Sequence, residues 1–510
     1  MSKEVLFTIA QDPSYNTTNP TEKLEGLQRK GFEKYYDSQF LADYIHQTKT
    51  QGREDAFSFD WYPQNAPGEW MSANISLPNT VIPEPITLER AREELDTGRY
   101  GHIVISTYLS GYSTFREIAQ FVRDKHPEVK VIASSVGALL EESANLSDFR
   151  LKGDQVTDLR KIIGQPINDP LKIVTIRSDT ETRFNGITKR GSYGLLVSSL
   201  GCMYGCDFCP STAQFGQEYK APFTAGKIKD AIISSHDTIA PESETFTVSI
   251  AEPQGMGNVK LWKEVLALCR DLPFQCELVS TTSSKVIDKY DIDELTRGAL
   301  RLSTVNIGVE SLIKGYKKNE GVDLKAVNAR LQDAGINVVS TYIVGLDWQN
   351  RKNIREEVKL LKDLGSSGYI IANLEMQPNT PLYHEFKRKG RLLDVPPELL
   401  SFYGYQAFTH PEFAAGFNDM LPLLGELEAE LADGNETMNA NLKVFLKRTN
   451  EGEKSKRETL QQMIADFQHS LDHSRYPDPS KVIDKFASEL YFHLAFRNMD
   501  LFHPFILSTN

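Results

Sequence analysis

The 510-residue sequence has only five cysteines, no long apolar run and no excess of positive charge, and each shortage excludes a class of protein. No segment reaches the ~18 to 20 uninterrupted apolar residues that a membrane-spanning helix requires. The formal net charge of −12 argues against a large nucleic-acid-binding surface, because phosphate binding depends on clustered Lys and Arg. The amino-terminal segment MSKEVLFTIAQDPSY lacks the small-residue cleavage site of a secretion signal. We therefore expect a cytoplasmic protein that binds no nucleic acid and spans no membrane.

The few cysteines are unevenly distributed along the chain. Cys202, Cys206 and Cys209 follow a C-x3-C-x2-C spacing. Disulfide frameworks spread their cysteines along a chain, and a tight group in a cysteine-poor cytoplasmic protein instead predicts metal or redox chemistry. Cys269 and Cys276 lie in the apolar segments LALCRDL and PFQCELV, which predicts small buried side chains without a ligand role.

The first 165 residues predict an open α/β domain. Apolar strand patterns at 101–107 and 129–133 flank a helical pattern at 115–125, and this spacing implies a parallel βαβ crossover. Ligands of such sheets bind outside the carboxyl ends of the strands, which here carry Ser106 and Thr107 on one strand and residues 134–137 after the next. Small residues at these positions are also typical of tight turns, and the βαβ pattern by itself favours that interpretation over a binding site.

Residues 190–395 alternate regularly between two patterns. Predicted strands cover residues 194–198, 245–252, 275–281, 302–310, 336–345 and 369–376. Predicted helices cover residues 225–236, 259–271, 292–300, 324–334 and 354–364. Six strands alternating with five helices predict a parallel α/β barrel or part of one, with its active site at the carboxyl ends of the strands.

Two further segments depart from this alternation. Residues 55–85 are poorly periodic and contain several prolines, which predicts an insertion or loop. From residue 396 to residue 510 the pattern is helical only, which predicts a carboxyl-terminal helical region that caps the barrel.

The segment SSLGCMYGCDFCPSTAQ begins where the first barrel strand is predicted to end. Three thiolates at this spacing can bind one side of an iron–sulfur cubane, because soft sulfur ligands suit iron. A structural zinc or an electron-transfer cluster needs a fourth ligand nearby, but the loop has no histidine and the next cysteine is 60 residues further on. The missing fourth ligand leaves one iron open to a substrate or cofactor.

The motif C-x3-C-x-aromatic-C after the first strand of a six-fold β/α alternation resembles the signature of the radical S-adenosylmethionine (SAM) superfamily. The resemblance implies a partial (β/α)6 barrel and a 4Fe–4S cluster bound by Cys202, Cys206 and Cys209. It implies that the open iron chelates the amino and carboxylate groups of SAM, which one electron cleaves to a 5′-deoxyadenosyl radical. It further implies that Phe208 packs beside the adenine, and that an external flavodoxin- or ferredoxin-type donor supplies the electron.

Other predicted strand ends resemble SAM-contacting elements of the same superfamily. Glu252 stands where the family has a Gly-Gly-Glu triplet, here Ile-Ala-Glu, that holds the SAM amino group. Glu310 lies in GVES, which resembles the G-x-E-S element that contacts the ribose and carboxylate; alternatively it caps a helix or pairs with Lys314. Ser280 is a candidate hydrogen-bonding group for SAM or a helix cap. Val344, in IVG, resembles the motif whose backbone contacts adenine.

The end of the predicted barrel narrows the resemblance. EMQPNTPLY, followed by GRL, resembles the P-x-G-T-P-L-Y … G-R-L stretch of radical SAM proteins with an amino-terminal cobalamin-binding domain; Asn379 replaces a glycine and tolerates the same left-handed backbone. GHIVIST and the later VKVIASS resemble strands of that domain, although its Gly-Gly is Ser-Ser here and no D-x-H-x-x-G motif provides a cobalt ligand. The implied cobalamin-binding residues are Ser106, Thr107, Ser134, Ser135 and Gly137.

These observations predict an α/β protein with three parts: a Rossmann-like, cobalamin-binding-type domain (1–165), a radical SAM barrel (190–395) and a helical domain (396–510). The implied activity is cobalamin-dependent methyl transfer to an unactivated carbon of a small-molecule or lipid-like substrate. The alternative is cobalamin-free radical cyclisation, or lipid or tetrapyrrole tailoring. A tRNA methylthiotransferase would need three further cysteines, and the first 201 residues contain none. A non-catalytic binding protein would not need an open iron site.

Overall fold

The computed structural model describes residues 3–12, 20–50, 58–61, 65–184, 187–243 and 245–432. Most of the predicted carboxyl-terminal helical region therefore lies outside the described residues. The strands are β1 (Glu4–Ala10), β2 (Ser58–Trp61), β3 (Asn79–Pro85), β4 (Tyr100–Thr107), β5 (Lys130–Ser134), β6 (Phe149–Arg150), β7 (Thr175–Phe184), β8 (Ile187–Leu196), β9 (Leu200–Gly201), β10 (Tyr219–Lys220), β11 (Thr245–Ile250), β12 (Gln275–Thr282), β13 (Leu300–Glu310), β14 (Asn337–Val344) and β15 (Gly368–Asn373).

Helices connect these strands throughout the described part of the chain. The α-helices are α1 (Pro20–Arg29), α2 (Ser38–Thr50), α3 (Ala66–Ala73), α4 (Leu88–Leu95), α5 (Tyr112–Lys125), α6 (Ser143–Leu146), α7 (Gln155–Ile162), α8 (Pro210–Phe215), α9 (Ala225–Ile239), α10 (Val259–Leu268), α11 (Ser284–Ile287), α12 (Ile292–Thr296), α13 (Leu324–Asp333), α14 (Arg351–Asp363), α15 (Pro381–Arg388) and α16 (Met420–Ala432). Short 3-10 helices cover Glu33–Tyr35, Leu109–Gly111, Val136–Leu139 and Pro397–Ser401.

The amino-terminal sheet is parallel, with the strand order β3-β1-β4-β5-β6. The central strand β1 is buried from its second residue to its last, as expected for a strand covered on both faces. The β4–α5–β5 unit confirms the predicted βαβ crossover. Its geometry places the carboxyl ends of β1, β4 and β5 at one edge of the sheet.

The prediction of a loop over residues 55–85 is wrong for a large part of that range. Helix α3 and the edge strand β3 lie there, and β3 pairs with β1. Prolines 83 and 85 obscure the strand pattern, but an edge strand tolerates proline because one side of its backbone has no partner strand. Strand β2 pairs with β7 and so belongs to the second sheet, not to the amino-terminal one.

The second sheet has the order β15-β14-β13-β12-β11-β8-β7-β2. The six strands from β8 to β15 in this order are parallel to one another, and β7 and β2 extend the sheet as antiparallel strands. This arrangement confirms the partial (β/α)6 barrel. Helices α9, α10, α13 and α14 each begin at a side-chain cap, and each cap stabilises its helix by about 1 kcal/mol.

Two hydrophobic clusters position the sheets. One packs the barrel strands against their outer helices, with Trp262 as its largest fully buried side chain. The other joins the amino-terminal sheet to the segment that follows β15, and contains Leu6 and Ile105 together with Met376, Phe386 and others. The carboxyl edge of the amino-terminal sheet is therefore packed against the end of the barrel.

Candidate active site

The three clustered cysteines lie on the connection between β8 and α8, at the carboxyl edge of the barrel sheet. Strand β9 pairs with β10 and closes this loop at its base. Gly201 makes that pairing possible, because its φ is +81° and a Cβ there would lie 2.1 Å from the Glu218 carbonyl oxygen. Cys209 is the N-cap residue of α8, and its N–H donates to the Cys206 carbonyl at 3.2 Å.

All three thiols are partly buried and are not joined in disulfides. Burial raises the pKa of Cys206 to about 11, and Lys318 acts in the opposite direction. Within the described ranges, no three His, Cys, Asp or Glu side chains converge as ligands of one metal ion would. An iron–sulfur cluster makes a different demand, because each cysteine binds a different iron atom. Half-buried thiols beside the partly buried cation of Lys318 fit such a cluster.

Glu252 holds the start of the cysteine loop. It lies just beyond the end of β11, is 6% exposed, and accepts hydrogen bonds from the N–H groups of Ser198 and Ser199, the latter at 2.6 Å. The Ser199 hydroxyl donates to its second oxygen. Burial raises the pKa of Glu252 to about 7 against the lowering effect of these bonds. Glu252, which was predicted to bind the SAM amino group, therefore lies at the site. Both of its carboxylate oxygens accept hydrogen bonds from the start of the cysteine loop.

Glu310 ends β13 beside the same loop. Its φ is +64°, a β-bulge separates it from Gly308, and its carboxylate forms an ion pair with Lys318. Burial opposes the charge of Lys318, but Glu310 more than offsets this effect and the pKa of Lys318 is raised. The sequence analysis missed Lys318 and proposed Lys314 as the partner. The sequence could not predict this ion pair from residue spacing. Glu310 is placed by the register of β13, and Lys318 lies in a loop that has no helical periodicity.

Aromatic side chains border the cysteine loop. Phe208 meets Tyr316 edge to face, with ring centroids 5.3 Å apart, and Tyr316 lies 6.4 Å from Trp348. Lys314 lies 4.5 Å above the Trp348 ring, and the Trp348 indole nitrogen is buried without a hydrogen-bond partner in the described structure. Phe208 thus belongs to an aromatic group beside the cysteines. An adenine that packs against Phe208, as predicted, would lie next to this group.

The predicted SAM contact Ser280 faces away from the interior of the barrel. It lies in register with Ile250 and Val305, which belong to the core beneath the outer helices. Its hydroxyl is buried and has no partner in the described structure. The neighbouring Thr281 is exposed and receives a 3.4 Å hydrogen bond from Asn306. Alternation along the strands therefore gives the interior face to Thr281 and Asn306.

Val344 packs with Tyr342 in the core under α14. Its carbonyl accepts the Leu374 N–H at 2.7 Å, and the N–H of Gly345 donates to Gln349 at 2.8 Å. The backbone predicted to contact adenine is therefore already bonded at these two groups.

Glu357 is a buried carboxylate that the sequence analysis missed. It lies on α14, is fully buried, and accepts hydrogen bonds from the Ser311 hydroxyl (2.5 Å), the Leu312 N–H (2.6 Å) and the Tyr342 hydroxyl (2.7 Å). It fixes the loop that follows Glu310. The sequence does not distinguish Glu357 from the other charged residues of the amphipathic helix α14, because glutamates on such helices are usually exposed to solvent.

The five predicted cobalamin-binding residues meet at the carboxyl edge of the amino-terminal sheet. The Ser106 and Ser134 hydroxyls lie 3.0 Å apart, and Thr107 donates to a backbone carbonyl two residues earlier. Ser135 has a φ of +63° and a ψ of −154°, and a Cβ at Gly137 would lie 2.5 Å from the Thr107 methyl carbon. All five are buried, and the hydroxyls of the first three are bonded within the edge itself.

A cavity of about 400 Å³ lies beside this edge. Tyr108 and Val136 line it from the amino-terminal sheet, and Glu375 and Gln377 line it from the segment after β15. The cavity therefore lies between the carboxyl edge of the amino-terminal sheet and the segment that follows β15.

The sequence of the chain was compared with known proteins. No family model matches the chain. The chain is 24% identical over 210 residues to the hopanoid C-2 methylase of Rhodopseudomonas palustris (strain TIE-1). That match covers 39% of this chain and 39% of the length of the methylase.

Two solved structures of the radical S-adenosylmethionine methyltransferase TsrM from Kitasatospora setae match nearly the whole chain. The structure with cobalamin and a 4Fe–4S cluster bound has a TM-score of 0.51 at 12% identity, and covers 97% of this chain and 99% of TsrM. The chain shares the fold of a cobalamin-binding radical SAM methyltransferase. The structure with tryptophan and the SAM analogue aza-SAM has a TM-score of 0.52 at 11% identity, with 100% and 99% covered.

In this radical SAM fold the cysteine loop of the chain follows the first parallel barrel strand, as the sequence predicts. The described part of the chain contains no helix that is both long and apolar enough to cross a membrane.

Proposed function

We propose that this chain is a radical SAM enzyme that transfers a methyl group to an unactivated carbon with the aid of cobalamin. The observation that carries the proposal is the cysteine loop, which the buried carboxylate of Glu252 anchors and which the Lys318–Glu310 pair borders. A loop of three partly buried thiols, with no fourth protein ligand in its sequence, is suited to a cluster with one open iron.

The residues around the loop have separable roles in this proposal. Cys202, Cys206 and Cys209 bind the cluster, and Glu252 holds the loop in place through Ser199. When bound, the cluster and SAM provide one-electron cleavage to a 5′-deoxyadenosyl radical, and cobalamin provides the methyl group. Glu310 and Lys318 offer one acceptor and one cation to the hydroxyl and carboxylate groups of SAM.

The cobalamin part of the proposal rests on the junction between the two sheets. TsrM, which has the same fold, has been solved with cobalamin bound. The cavity beside the carboxyl edge of the amino-terminal sheet is open to a ligand and is lined by residues that follow β4 and β5 and by residues that follow β15. The partial match to a hopanoid methylase favours methyl transfer and, as a substrate class, a small molecule or lipid. An external flavodoxin- or ferredoxin-type donor in the cytoplasm would provide the electron.

One observation favours a second candidate, cobalamin-free radical cyclisation or tailoring. The Ser106 and Ser134 hydroxyls bond each other, and Thr107 bonds its own strand. An edge whose polar groups are already paired offers few of them to a corrinoid. In this alternative the amino-terminal sheet serves only to close the barrel.

Anaerobic reconstitution tests both candidates. The protein is loaded with iron and sulfide, and its absorption spectrum is recorded with and without hydroxocobalamin after removal of the unbound corrinoid. The proposal expects four irons, 5′-deoxyadenosine formation from SAM under reduction, and one retained corrinoid. A cluster and SAM cleavage without retained corrinoid would select the second candidate. Absence of both cluster and cleavage would contradict the radical SAM assignment.

A further inference from the structure

The cavity at the junction of the sheets is lined by residues of both halves of the chain. It has a volume of about 400 Å³, within the range of small-ligand sites. The aromatic side chains Tyr108, Phe402 and Tyr403 form part of its walls. Glu375 is the one charged residue among the described residues that line it.

Glu375 is a partly buried carboxylate that is poorly compensated by its described neighbours. Its hydrogen bond is to the side-chain nitrogen of Gln377 at 2.5 Å, and no ion pair to it is found among the residues that the structure describes. Burial raises the pKa of Glu375 to about 7. The side-chain oxygen of Gln377 is itself buried without a partner in the same part of the chain. A carboxylate and an amide oxygen therefore lie together with unused acceptor capacity.

Two fully or nearly fully buried carboxylates beside the cysteine loop, Glu252 and Glu357, have more hydrogen-bond partners. Glu252 accepts three hydrogen bonds from the cysteine loop, and Glu357 accepts backbone and hydroxyl donors that fix the loop after β13. Each of them holds part of the fold. Among the described residues, the hydrogen bond found for Glu375 is to a side chain two residues away. The backbone of the segment is held independently by the Met376 N–H, which donates to the Leu400 carbonyl at 2.8 Å. Desolvating a carboxylate without such a role costs free energy that the fold does not recover.

The lining defines the chemistry of a matching ligand. Two adjacent acceptors without a cation require a group that donates more than one N–H bond, which is a primary amide or an ammonium group. Aromatic walls require a flat or apolar body attached to that group. Phosphate and carboxylate ligands do not match, because the cavity offers them no described cation.

We propose that Glu375 and Gln377 together bind a primary amide or ammonium group of a ligand that enters the cavity between the sheets. This inference rests on the proposed function for the identity of the ligand. Two sources have the required chemistry: the carboxamide side chains of a corrinoid, and the amine of an aromatic or apolar substrate. Glu375 is a binding residue in either case.

The test compares wild-type protein with Glu375→Gln and Gln377→Leu, all reconstituted with iron and sulfide. Glu142→Gln is the control, because it removes one carboxylate that is exposed to solvent. Dissociation constants are measured for three probes: hydroxocobalamin, the heptamethyl ester of cobyrinic acid, which has no N–H donors on its side chains, and 2-phenylethylammonium. Unfolding temperatures are measured on the same samples before any probe is added.

We expect Glu375→Gln to lower the affinity for one of the two probes that carry N–H donors, hydroxocobalamin or 2-phenylethylammonium. The expected decrease is about ten- to a hundredfold, as for loss of a hydrogen bond to a charged group. The unfolding temperature of Glu375→Gln should remain equal to or above that of the wild type, because the variant removes a partly buried charge that no described cation compensates. Weaker hydroxocobalamin binding with unchanged ester binding assigns the corrinoid carboxamide as ligand. Weaker 2-phenylethylammonium binding alone assigns a substrate amine.

Three outcomes would overturn the inference. They are unchanged affinities for all three probes, equal weakening of hydroxocobalamin and the ester, and a lower unfolding temperature of Glu375→Gln, which would assign a structural role. Failure of the proposed function looks different. Wild-type protein would then retain no corrinoid, while the ammonium probe would still report on Glu375 and Gln377.

Discussion

The carboxylate of Glu310 forms a buried ion pair with Lys318, eight residues further along the chain. The two charges lie at the end of β13 beside the cysteine loop, and Lys318 is close enough to lower the pKa of Cys206. Lys314, the partner considered from the sequence, instead lies over the ring of Trp348. Glu310 and Lys318 therefore form one anion–cation pair at the site, and substitution of each residue tests whether the two charges bind SAM.

Removal of either charge should weaken SAM binding. We expect Glu310→Gln to reduce SAM affinity by about ten- to a hundredfold, the equivalent of roughly 1.5 to 3 kcal/mol for a hydrogen bond to a charged group. Lys318→Met alone should also destabilise the protein by about 3 to 5 kcal/mol, because it leaves a buried charge unpaired. The double variant should recover stability but not SAM affinity, measured by equilibrium dialysis. Wild-type affinity in Glu310→Gln would make this pair purely structural.

Each of the three loop cysteines should be essential for the cluster. Alanine at Cys202, Cys206 or Cys209 should abolish the cluster absorption and SAM cleavage after reconstitution, because three thiolates leave no spare ligand. Cys269→Ala and Cys276→Ala are matched controls, since both residues are fully buried in the core and should retain iron and sulfide content. A full cluster in Cys206→Ala would contradict the assignment.

Glu252 should make the stability of the metal-free protein fall as the pH rises. Its pKa is raised by burial from 4.5 to about 7, so the folded protein binds more protons than the unfolded chain between these values. The stabilising contribution of its protonated form is complete below pH 4.5 and is lost as the pH passes 7. Glu252→Gln should flatten this part of the profile, as measured by denaturant unfolding. An identical slope in the variant and the wild type would show that Glu252 titrates normally.

Ser135 should be strained where it stands. Its φ of +63° and ψ of −154° define a region populated almost only by glycine. We expect Ser135→Gly to raise the free energy of unfolding by about 1 kcal/mol, after allowance for the flexibility that glycine adds to the unfolded chain. Ser135→Leu should lower it and should also obstruct the cavity side of the edge. Equal stability of Ser135→Gly and the wild type would place the strain elsewhere.

The sequence predicted those parts of the fold that repeat. Alternating apolar strands and helices located six parallel strands and the loop that carries Cys202, Cys206 and Cys209. Asn379 has a φ of +59°, so the expected left-handed turn is present. Strand β3 was beyond reach, because its prolines hide a pattern that an edge strand tolerates.

Side-chain partners were less predictable than strands. Glu252 and Glu310 could be placed at strand ends, but the loop residues that bond them come from distant or aperiodic segments. The face that Ser280 occupies depends on strand register, and a shift of one residue exchanges the two faces. Glu357 carries no motif, and only burial separates it from ordinary surface glutamates. Glu375 lies just before the stretch that carries the family resemblance, but nothing in that resemblance assigns it a role.

The hydrophobic cluster that unites Leu6 and Ile105 with Met376 and Phe386 has a mechanical consequence. A closely packed protein interior has low compressibility and transmits strain. Because they share this interior, the amino-terminal sheet and the segment after β15 should respond together to a change in either one.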